Sequence, residues 1–338
     1  MSAPLPLAVS VGDPAGIGPR VSVEAALQAT RGGESLILYG DARRLTALVA
    51  ASAPDVVCID VPVDGPFAVP PGALGLADVG AVSDVCVAAH APTAEGGAAQ
   101  LRALDAAASV VAAGHARALV TGPTSKEAIV ASGTPFTGQT EHLARRAGLS
   151  DDAVTMMFLG PTLRLALVTT HVAVSRVAQE ITPARVARAV THLGEALLRL
   201  RGEAAGVPSV VVAALNPHAG EHGLFGDEDP RIVEPGAALA GARPPYADGR
   251  VRLLGVRPAE AALREAAWGR IDGVVCMMHD QATIPSKLLD WGKAVNVTWG
   301  LPFLRTSVDH GVAYDAAAAG RGDADGMIAA VALAARCT

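Results

Sequence analysis

The chain has 338 residues, of which 51% are hydrophobic, and a formal net charge of −6. This length and apolar content suffice for one large or two medium domains with buried cores. The acidic balance, without a basic stripe, excludes nucleic acid as a partner bound by charge. No apolar run approaches the roughly 20 residues of a membrane helix, and no signal peptide is evident, so we expect a cytoplasmic protein without a membrane partner. The four cysteines lack CxxC spacing, which favours reduced thiols.

The predicted elements alternate between strands and helices along the chain. A buried strand over 5–11 leads into the glycine-rich loop GDPAGIGPR and then a helix to about residue 30. This loop lacks the Lys-Ser/Thr ending of a phosphate loop, and simple turn geometry is the alternative. Further along, strands are predicted at 35–39, 56–61 and 118–120, with a Pro/Gly-rich connector over 62–75 and an amphipathic helix over 96–114. The alternation predicts the α/β class with a mostly parallel sheet.

Polar residues follow the strand predicted at 118–120. The segment TGPTSKEAI contains Lys126, one of only three lysines in the chain. Its compact ammonium favours a functional role in a protein that otherwise uses arginine, and a solvated lysine is the alternative. In FTGQTEHLARR, Gln139 and Thr140 stand at the start of a predicted helix, where amides and hydroxyls bind anions. The alternative there is N-capping by Thr137 or Thr140.

Three apolar strands in the second half of the chain each lead to a histidine. The strand at 163–170 precedes His171, the strand at 210–215 precedes His218, and the strand at 273–278 precedes His279. Because the carboxyl ends of parallel strands converge on one crevice, the three imidazoles predict a site for a divalent metal such as Zn²⁺ or Co²⁺. His222 is a competing ligand. The remaining histidines are not expected to bind the metal: His90, His115, His142, His192 and His310.

The segment after 278 contributes further polar side chains. If it continues as an extended chain, His279 and Gln281 face one side and Asp280 faces the other, so Asp280 is expected to orient a neighbour or to contact a second subunit. Cationic and hydrogen-bonding side chains suited to a phosphate or carboxylate then follow at Lys287, Asn296 and Arg305.

A family resemblance covers nearly the whole chain. The chain contains, in this order, GDPAGIGP, TGPTSKEAI, GQTEHLA, LVTTHVAVSRV, NPHAGEHGLFGDED, MMHDQ and VNVTWGLPFLRTSVDHGVAYDAAAAGRGDAD. Together these motifs resemble the 4-hydroxythreonine-4-phosphate dehydrogenase family of vitamin B6 biosynthesis, with NPHAGE, HDQ and LPFxRTSVDHG as the specific blocks. The segment DHGVAYDAAAAGRGDAD also resembles the pattern that lines the NAD adenosine pocket of isopropylmalate and isocitrate dehydrogenases.

The resemblance implies an architecture like that of isopropylmalate dehydrogenase, with two α/β domains around a central cleft. Residues 1–125 with 292–338 would form the dinucleotide-binding domain, and residues 126–291 the domain for metal, substrate and dimerisation. The implied protein is a homodimer with the metal site at the interface, one Zn²⁺, Co²⁺ or Mg²⁺ ion per site, and NAD or NADP as cofactor. The implied metal ligands are His171, His218 and His279.

The resemblance also implies roles for other residues. Substrate contacts fall on Gln139, Thr140, Lys287, Asn296 and Arg305. Dinucleotide contacts fall on Gly300, His310, Gly311, Asp315 and Gly320. The candidates for the proton acceptor are Lys287, Lys126 and a metal-bound water, and Asp280 is a candidate for catalytic support.

The implied reaction is the metal- and NAD(P)-dependent oxidation of 4-phosphohydroxy-L-threonine, followed by decarboxylation to 3-amino-2-oxopropyl phosphate. Several positions depart from the family pattern: Gln139 replaces a substrate-contacting His, Glu260 an Asp, Ser175-Arg176 an Arg-Asp pair, Arg20 a Glu, and Ala318 a Gly. The alternatives are a paralogue acting on a threonate or erythronate phosphate or a dihydrodiol acid, a three-histidine metal hydrolase or lyase, and a non-catalytic metabolite-binding protein. Retention of Lys287, Asn296 and Arg305 favours a phosphorylated substrate.

Overall fold

A computed structural model describes residues 4–70, 72–201 and 206–338. The strands in chain order are β1 (Leu7–Ser10), β2 (Leu36–Gly40), β3 (Cys58–Asp60), β4 (Leu74–Asp78), β5 (Ala118–Thr121), β6 (Thr155–Leu159), β7 (Arg164–Leu167), β8 (Ser209–Ala213), β9 (Arg252–Arg257), β10 (Gly273–Cys276), β11 (Val295–Trp299) and β12 (Leu304–Ser307). The helices are α1 (Gly18–Arg31), α2 (Ala42–Ser52), α3 (Asp84–Ala88), α4 (Ala94–Ala112), α5 (Lys126–Ala131), α6 (Gln139–Arg146), α7 (Val177–Glu180), α8 (Pro183–Arg201), α9 (Glu234–Gly241), α10 (Ala259–Ala267), α11 (His279–Leu289), α12 (Tyr314–Ala318) and α13 (Asp325–Arg336). None of the helices in these described ranges is long and apolar enough to cross a membrane.

The chain divides into two units. The terminal unit comprises Met1–Leu149 with Leu301–Thr338, and the central unit comprises Ser150–Gly300. The boundaries between the two predicted domains lay elsewhere, between residues 125 and 126 and between residues 291 and 292. The difference arises because α5 packs against α4 inside the terminal unit, whereas β11 pairs with β6 inside the central unit.

The terminal unit is built on a parallel sheet. Its strands lie in the order β3-β4-β2-β1-β5-β12, and each neighbouring pair is parallel. Both β1 and β2 are buried along their whole length, as expected for parallel strands that helices cover on both faces. The chain leaves β1 towards β2 on one side and later returns to β5 on the other side. This change of direction places the loops after β1 and β5 at a position where α/β proteins bind ligands.

The central unit has a mixed sheet with the strand order β11-β6-β7-β10-β8-β9. The pairs among β7, β10, β8 and β9 are parallel, whereas β6 runs antiparallel to both β7 and β11. Apolar side chains of this sheet, including Phe158, Leu165, Val211 and Val274, pack against α10 and α11. The predicted α/β class with a mostly parallel sheet is confirmed, and the antiparallel strands are an addition.

Candidate active site

The loops that follow β1 and β5 contact each other directly. The amide of Asp13 donates to the Pro123 carbonyl at 3.0 Å. Gly12 has a φ of +81°, and a Cβ there would lie 2.2 Å from the Pro123 oxygen. Only glycine combines this backbone conformation with so close an approach. The glycines of GDPAG and TGP therefore allow two strand-end loops to meet.

A buried hydrogen-bond network joins these loops to the start of α12. Asp13 is 1% exposed, and its carboxylate accepts from the Ala15 amide at 2.9 Å, Gln100 Nε2 at 2.9 Å and the Tyr314 hydroxyl at 2.8 Å. Gln100 Oε1 in turn accepts from the Ser125 amide at 2.8 Å. Burial raises the pKa of Asp13, although the three donors act in the opposite direction. Sequence reasoning missed this network, and the GDP motif was its available signal.

Arg305 on β12 is a buried cation. Its side chain is 2% exposed, and its Nε and Nη2 donate to Thr121 Oγ1 at 3.1 and 2.8 Å. Nη2 also donates to Gln139 Oε1 at 2.9 Å. Burial lowers the pKa of Arg305 to about 10, and the nearby Glu141 carboxylate acts in the opposite direction. The guanidinium is therefore still charged at neutral pH and forms a candidate anion-binding group.

Three more predicted residues lie near the same edge of the terminal unit. Gln139 and Thr140 are the first residues of α6, whose N-cap is Gly138 without a side-chain cap, so the predicted capping by Thr137 or Thr140 is wrong. Lys126 is the first residue of α5 and is exposed. A Cβ on Gly138 would lie 3.8 Å from Lys126 Cε, which places Lys126 beside the start of α6.

The predicted dinucleotide segment packs against the loop after β1. A Cβ on Gly16 would lie 2.1 Å from Val312 Cγ1, and the Ile17 amide donates to the Val312 carbonyl at 3.1 Å. The segment turns sharply at Ala313, which has a φ of +50° directly before α12. Predicted contact residues of the terminal unit that lie in or beside this segment are His310, Gly311, Asp315 and Gly320.

Gly300 belongs to the central unit and has a structural requirement of its own. Its φ is +98°, and a Cβ would lie 2.5 Å from the Ala153 carbonyl oxygen and 2.8 Å from the His192 ring. A glycine is therefore needed there for packing.

His171 and His279 form a pair in the central unit. They follow the adjacent parallel strands β7 and β10, and their ring centroids are 5.7 Å apart. Nδ1 of His279 lies 2.9 Å from the Asp280 carboxylate, so Nε2 is the nitrogen that points away from this partner. A carboxylate on the other ring nitrogen is the usual support of a metal-binding histidine. The pair therefore fits two imidazole ligands of one divalent ion.

The expected extended chain after 278 is wrong, because α11 begins at His279. Alternation of side chains therefore does not apply to Asp280 and Gln281. Asp280 nevertheless contacts its neighbour His279. Gln281 instead binds backbone: its Oε1 accepts from the Met277 amide at 2.8 Å, and its Nε2 donates to the Ala214 carbonyl at 3.0 Å.

His218 lies in an unusual left-handed turn after β8. Five successive residues from 218 to 222 have positive φ values, between 41° and 76°. The buried carboxylate of Asp229 accepts from the Leu215 and Asn216 amides at 2.7 and 2.9 Å and holds the start of this turn. Within the described ranges of a single chain, no three His, Cys, Asp or Glu side chains are grouped closely enough for a metal ion. Sequence reasoning missed Asp229, which stands inside the GDED motif.

Lys287 and Asn296 are the predicted substrate residues of the central unit. Lys287 is exposed on α11, with its Nζ 5.9 Å from the centre of the Trp291 ring. Asn296 lies on β11, and its Oδ1 atom is buried and makes no hydrogen bond to the described part of the chain. Such an acceptor is typical of a position that binds a ligand or water.

Three of the departures from the family pattern take part in ordinary surface ion pairs between residues four apart. These pairs are Arg20–Glu24, Arg176–Glu180 and Glu260–Arg264. Exposed pairs of this kind contribute little to stability, because water and salt screen them. Gln139 differs from them because it contacts the buried Arg305.

Comparisons with known proteins agree over almost the full length. Residues 34–334 match the model of the family described as pyridoxal phosphate biosynthetic protein PdxA. A 4-hydroxythreonine-4-phosphate dehydrogenase from Desulfosudis oleivorans is 39% identical over 98% of this chain and 96% of its own length. A D-threonate 4-phosphate dehydrogenase from Pectobacterium atrosepticum is 34% identical over 97% of this chain and 98% of its own length.

A crystal structure agrees with these sequence matches. The 4-hydroxythreonine-4-phosphate dehydrogenase from Klebsiella pneumoniae is 31% identical, with a TM-score of 0.81 over 98% of this chain and 99% of that chain. The chain therefore belongs to the pyridoxal phosphate biosynthetic protein PdxA family, whose members named above are dehydrogenases and thus oxidoreductases.

Proposed function

We propose that the chain catalyses the metal- and NAD(P)-dependent oxidation of 4-phosphohydroxy-L-threonine, followed by decarboxylation to 3-amino-2-oxopropyl phosphate. The observation that carries this proposal is the buried guanidinium of Arg305, held by Thr121 and Gln139 at the carboxyl edge of the terminal sheet. A buried cation is costly unless an anion or hydrogen-bond acceptors compensate it. Thr121 and Gln139 accept some of its hydrogen bonds, and the phosphate of the substrate would add an anionic acceptor. Further proposed substrate contacts are Thr140, Lys287 and Asn296, with Gln139 acting beside Arg305.

The metal proposal concerns the histidines of the central unit. His171, His218 and His279 would hold one Zn²⁺, Co²⁺ or Mg²⁺ ion. Such an ion would supply Lewis acidity for both the oxidation and the loss of CO₂. A proton on Nδ1 of His279 would be held by the Asp280 carboxylate at 2.9 Å and would leave Nε2 as the ligand atom.

A homodimer is part of this proposal, with the metal site at the subunit interface. An exposed apolar surface on and after α11 supports it. Ile284, Leu288 and Trp291 are 58%, 77% and 74% exposed in the single chain, and Lys287 lies between them in sequence. Large exposed apolar side chains this close together are typical of an interaction surface. A single chain then need not contain the complete ligand group.

The chain's own residues would bind, orient and move protons in this reaction. NAD or NADP, when bound, would supply the hydride acceptor for the oxidation. Its proposed contacts are Gly300, His310, Gly311, Asp315 and Gly320. The network around Asp13 holds the loop after β1 against the start of α12 and thereby keeps the dinucleotide segment in place. Lys126 or Lys287 would take the proton of the substrate hydroxyl, with Asp280 in a supporting role.

A phosphorylated threonate is the second candidate substrate. The relative from Pectobacterium atrosepticum carries that specificity in its name, and Gln139 stands where the family pattern has a histidine. A dihydrodiol acid would present a carboxylate instead of a phosphate to Arg305, and it stays an alternative. A hydrolase or lyase would leave the dinucleotide segment without a role. The cytoplasmic location and the lack of nucleic-acid and membrane partners stay predictions.

A substrate panel tests the proposal. Purified protein with Zn²⁺, Co²⁺ or Mg²⁺ and either NAD or NADP is expected to form reduced cofactor, measured at its absorbance band, with 4-phosphohydroxy-L-threonine. His218→Ala is expected to abolish this signal, whereas His222→Ala is expected to keep it. The opposite result would assign the metal ligand to His222. Reduced cofactor formed only with D-threonate or erythronate phosphate would establish the second candidate. No reduction with any phosphorylated substrate would contradict both.

A further inference from the structure

Both polar atoms of the Gln139 side-chain amide form hydrogen bonds within the protein. Its Nε2 donates to the Gly122 carbonyl at 3.1 Å and to Thr124 Oγ1 at 2.9 Å. Its Oε1 accepts from Arg305 Nη2 at 2.9 Å. Both donor hydrogens and the carbonyl oxygen therefore have partners in the terminal unit.

These partners also define the orientation of the amide. The Gly122 carbonyl can only accept, and the Arg305 guanidinium can only donate. A flipped amide would place oxygen against oxygen at Gly122 and nitrogen against nitrogen at Arg305. The hydrogen-bond network thus decides the assignment of the two amide atoms.

Thr121, the last residue of β5, and Gln139, the first residue of α6, together hold the guanidinium. A guanidinium is planar, and its donors form a rigid fork, so acceptors on it determine the plane in which it can meet a ligand. Thr121 Oγ1 contacts both Nε and Nη2, and Gln139 Oε1 contacts Nη2. Because Arg305 is 2% exposed, its side chain has little freedom to find another orientation.

We infer that Gln139 is a positioning residue: it determines recognition of an anionic phosphate group through the orientation of Arg305, and it does not bind the substrate itself. The inference rests on the proposed function only for the identity of the substrate that carries the phosphate. It explains how a position that offers a histidine to the substrate in the family pattern can hold a neutral amide. The charge that selects the substrate then comes from Arg305.

Binding of inorganic phosphate, measured by calorimetry, tests the coupling between Gln139 and Arg305. Gln139→Leu is expected to weaken phosphate binding about tenfold, the size of one charge-assisted hydrogen bond. In an Arg305→Lys background, the same change is expected to have less than about a twofold effect, because lysine lacks the fork that Gln139 orients. Gln28→Leu, an identical change at an exposed position of α1, is the matched control and is expected to change nothing.

An equal loss in both backgrounds would mean that Gln139 contacts the anion directly, and it would overturn the inference. So would wild-type protein that binds no phosphate, or Gln139→Leu protein that binds phosphate like wild type. These outcomes are independent of turnover, so they are distinct from failure of the substrate panel.

A second measurement covers the case in which the Arg305→Lys protein does not fold. In protein labelled with ¹⁵N-arginine, the Arg305 Nε–H signal is assigned as the resonance that Thr121→Val shifts, because Thr121 Oγ1 is its acceptor. Gln139→Leu is expected to shift or broaden this signal, and Gln28→Leu is not. An unchanged signal in Gln139→Leu would show that Gln139 does not position the guanidinium.

Discussion

Burial opposes charge at Arg305, Asp13 and His192, and each of these residues responds differently. Burial lowers the pKa of Arg305 to about 10, the nearby Glu141 carboxylate acts in the opposite direction, and the guanidinium stays charged at neutral pH. Asp13 is held by three donors while burial raises its pKa. His192 is held neutral, since burial and the nearby Arg188 lower its pKa to about 4. The first two lie at the proposed active site, whereas His192 is a stability element of the central unit.

His192 makes stability sensitive to acid. Its folded-state pKa of about 4 lies below the ordinary value of 6.5, so the unfolded chain binds more protons between these values. The free energy of unfolding is therefore expected to fall by roughly 1–2 kcal/mol as pH decreases from 7 to 5. Urea unfolding at both pH values measures this loss.

The variant His192→Gln separates this effect from other acid-sensitive groups. Glutamine can still contact Thr155 Oγ1, which lies 2.8 Å from His192 Nδ1, but it cannot take up a proton. The difference in the free energy of unfolding between pH 7 and pH 5 is expected to be smaller in this variant than in wild type. An equal difference in both proteins would show that His192 is not the cause of the acid sensitivity.

At the scale of elements, the site is made of segments that follow strands. Parallel strands β7, β10 and β8 lie side by side and lead to His171, His279 and His218. The apolar runs of these strands were sufficient to predict them. The local conformations after the strands were not predictable in the same way, since α11 begins at His279 and a left-handed turn begins at His218. Non-glycine residues rarely adopt such a turn without support from surrounding contacts.

Asp229 is expected to provide that support. In Asp229→Asn, one carboxylate oxygen becomes an amide nitrogen that faces a backbone N–H of Leu215 or Asn216. The loss of a charged hydrogen bond is expected to lower the free energy of unfolding by about 2–3 kcal/mol. Hydrogen exchange of residues 218–223 is expected to accelerate.

The matched control for this change is Asp227→Asn, two residues earlier on the same segment. The Asp227 side chain is 69% exposed and pairs with Arg231 at 3.4 Å, so its loss is expected to leave both readouts unchanged. If amide hydrogen exchange of residues 218–223 were equally fast in both variants, Asp229 would not be the residue that holds the turn.

At the scale of the whole molecule, assembly is the property on which the proposed metal site depends. Ile284→Glu on α11 places a charge in the exposed apolar surface proposed to contact a second copy. The variant is expected to be monomeric, or to dissociate at concentrations at which wild type is a dimer, as measured by light scattering after size-exclusion chromatography. Val85→Glu, at a position of the terminal unit that is 82% exposed, is the control and should leave the assembly unchanged. A wild-type monomer would contradict the homodimer proposal.

The sequence by itself determined the α/β class, the family and the identity of the polar residues that follow the strands. These properties follow from local patterns, because apolar periodicity and contiguous motifs are contained in short segments of the sequence. The structure decided how distant parts combine. It places Gln139 on Arg305 across 166 positions, joins Asp13 to Tyr314, and makes β6 antiparallel to both of its neighbours. No local pattern encodes these pairings, because strand direction and side-chain partners depend on packing between segments far apart in the chain.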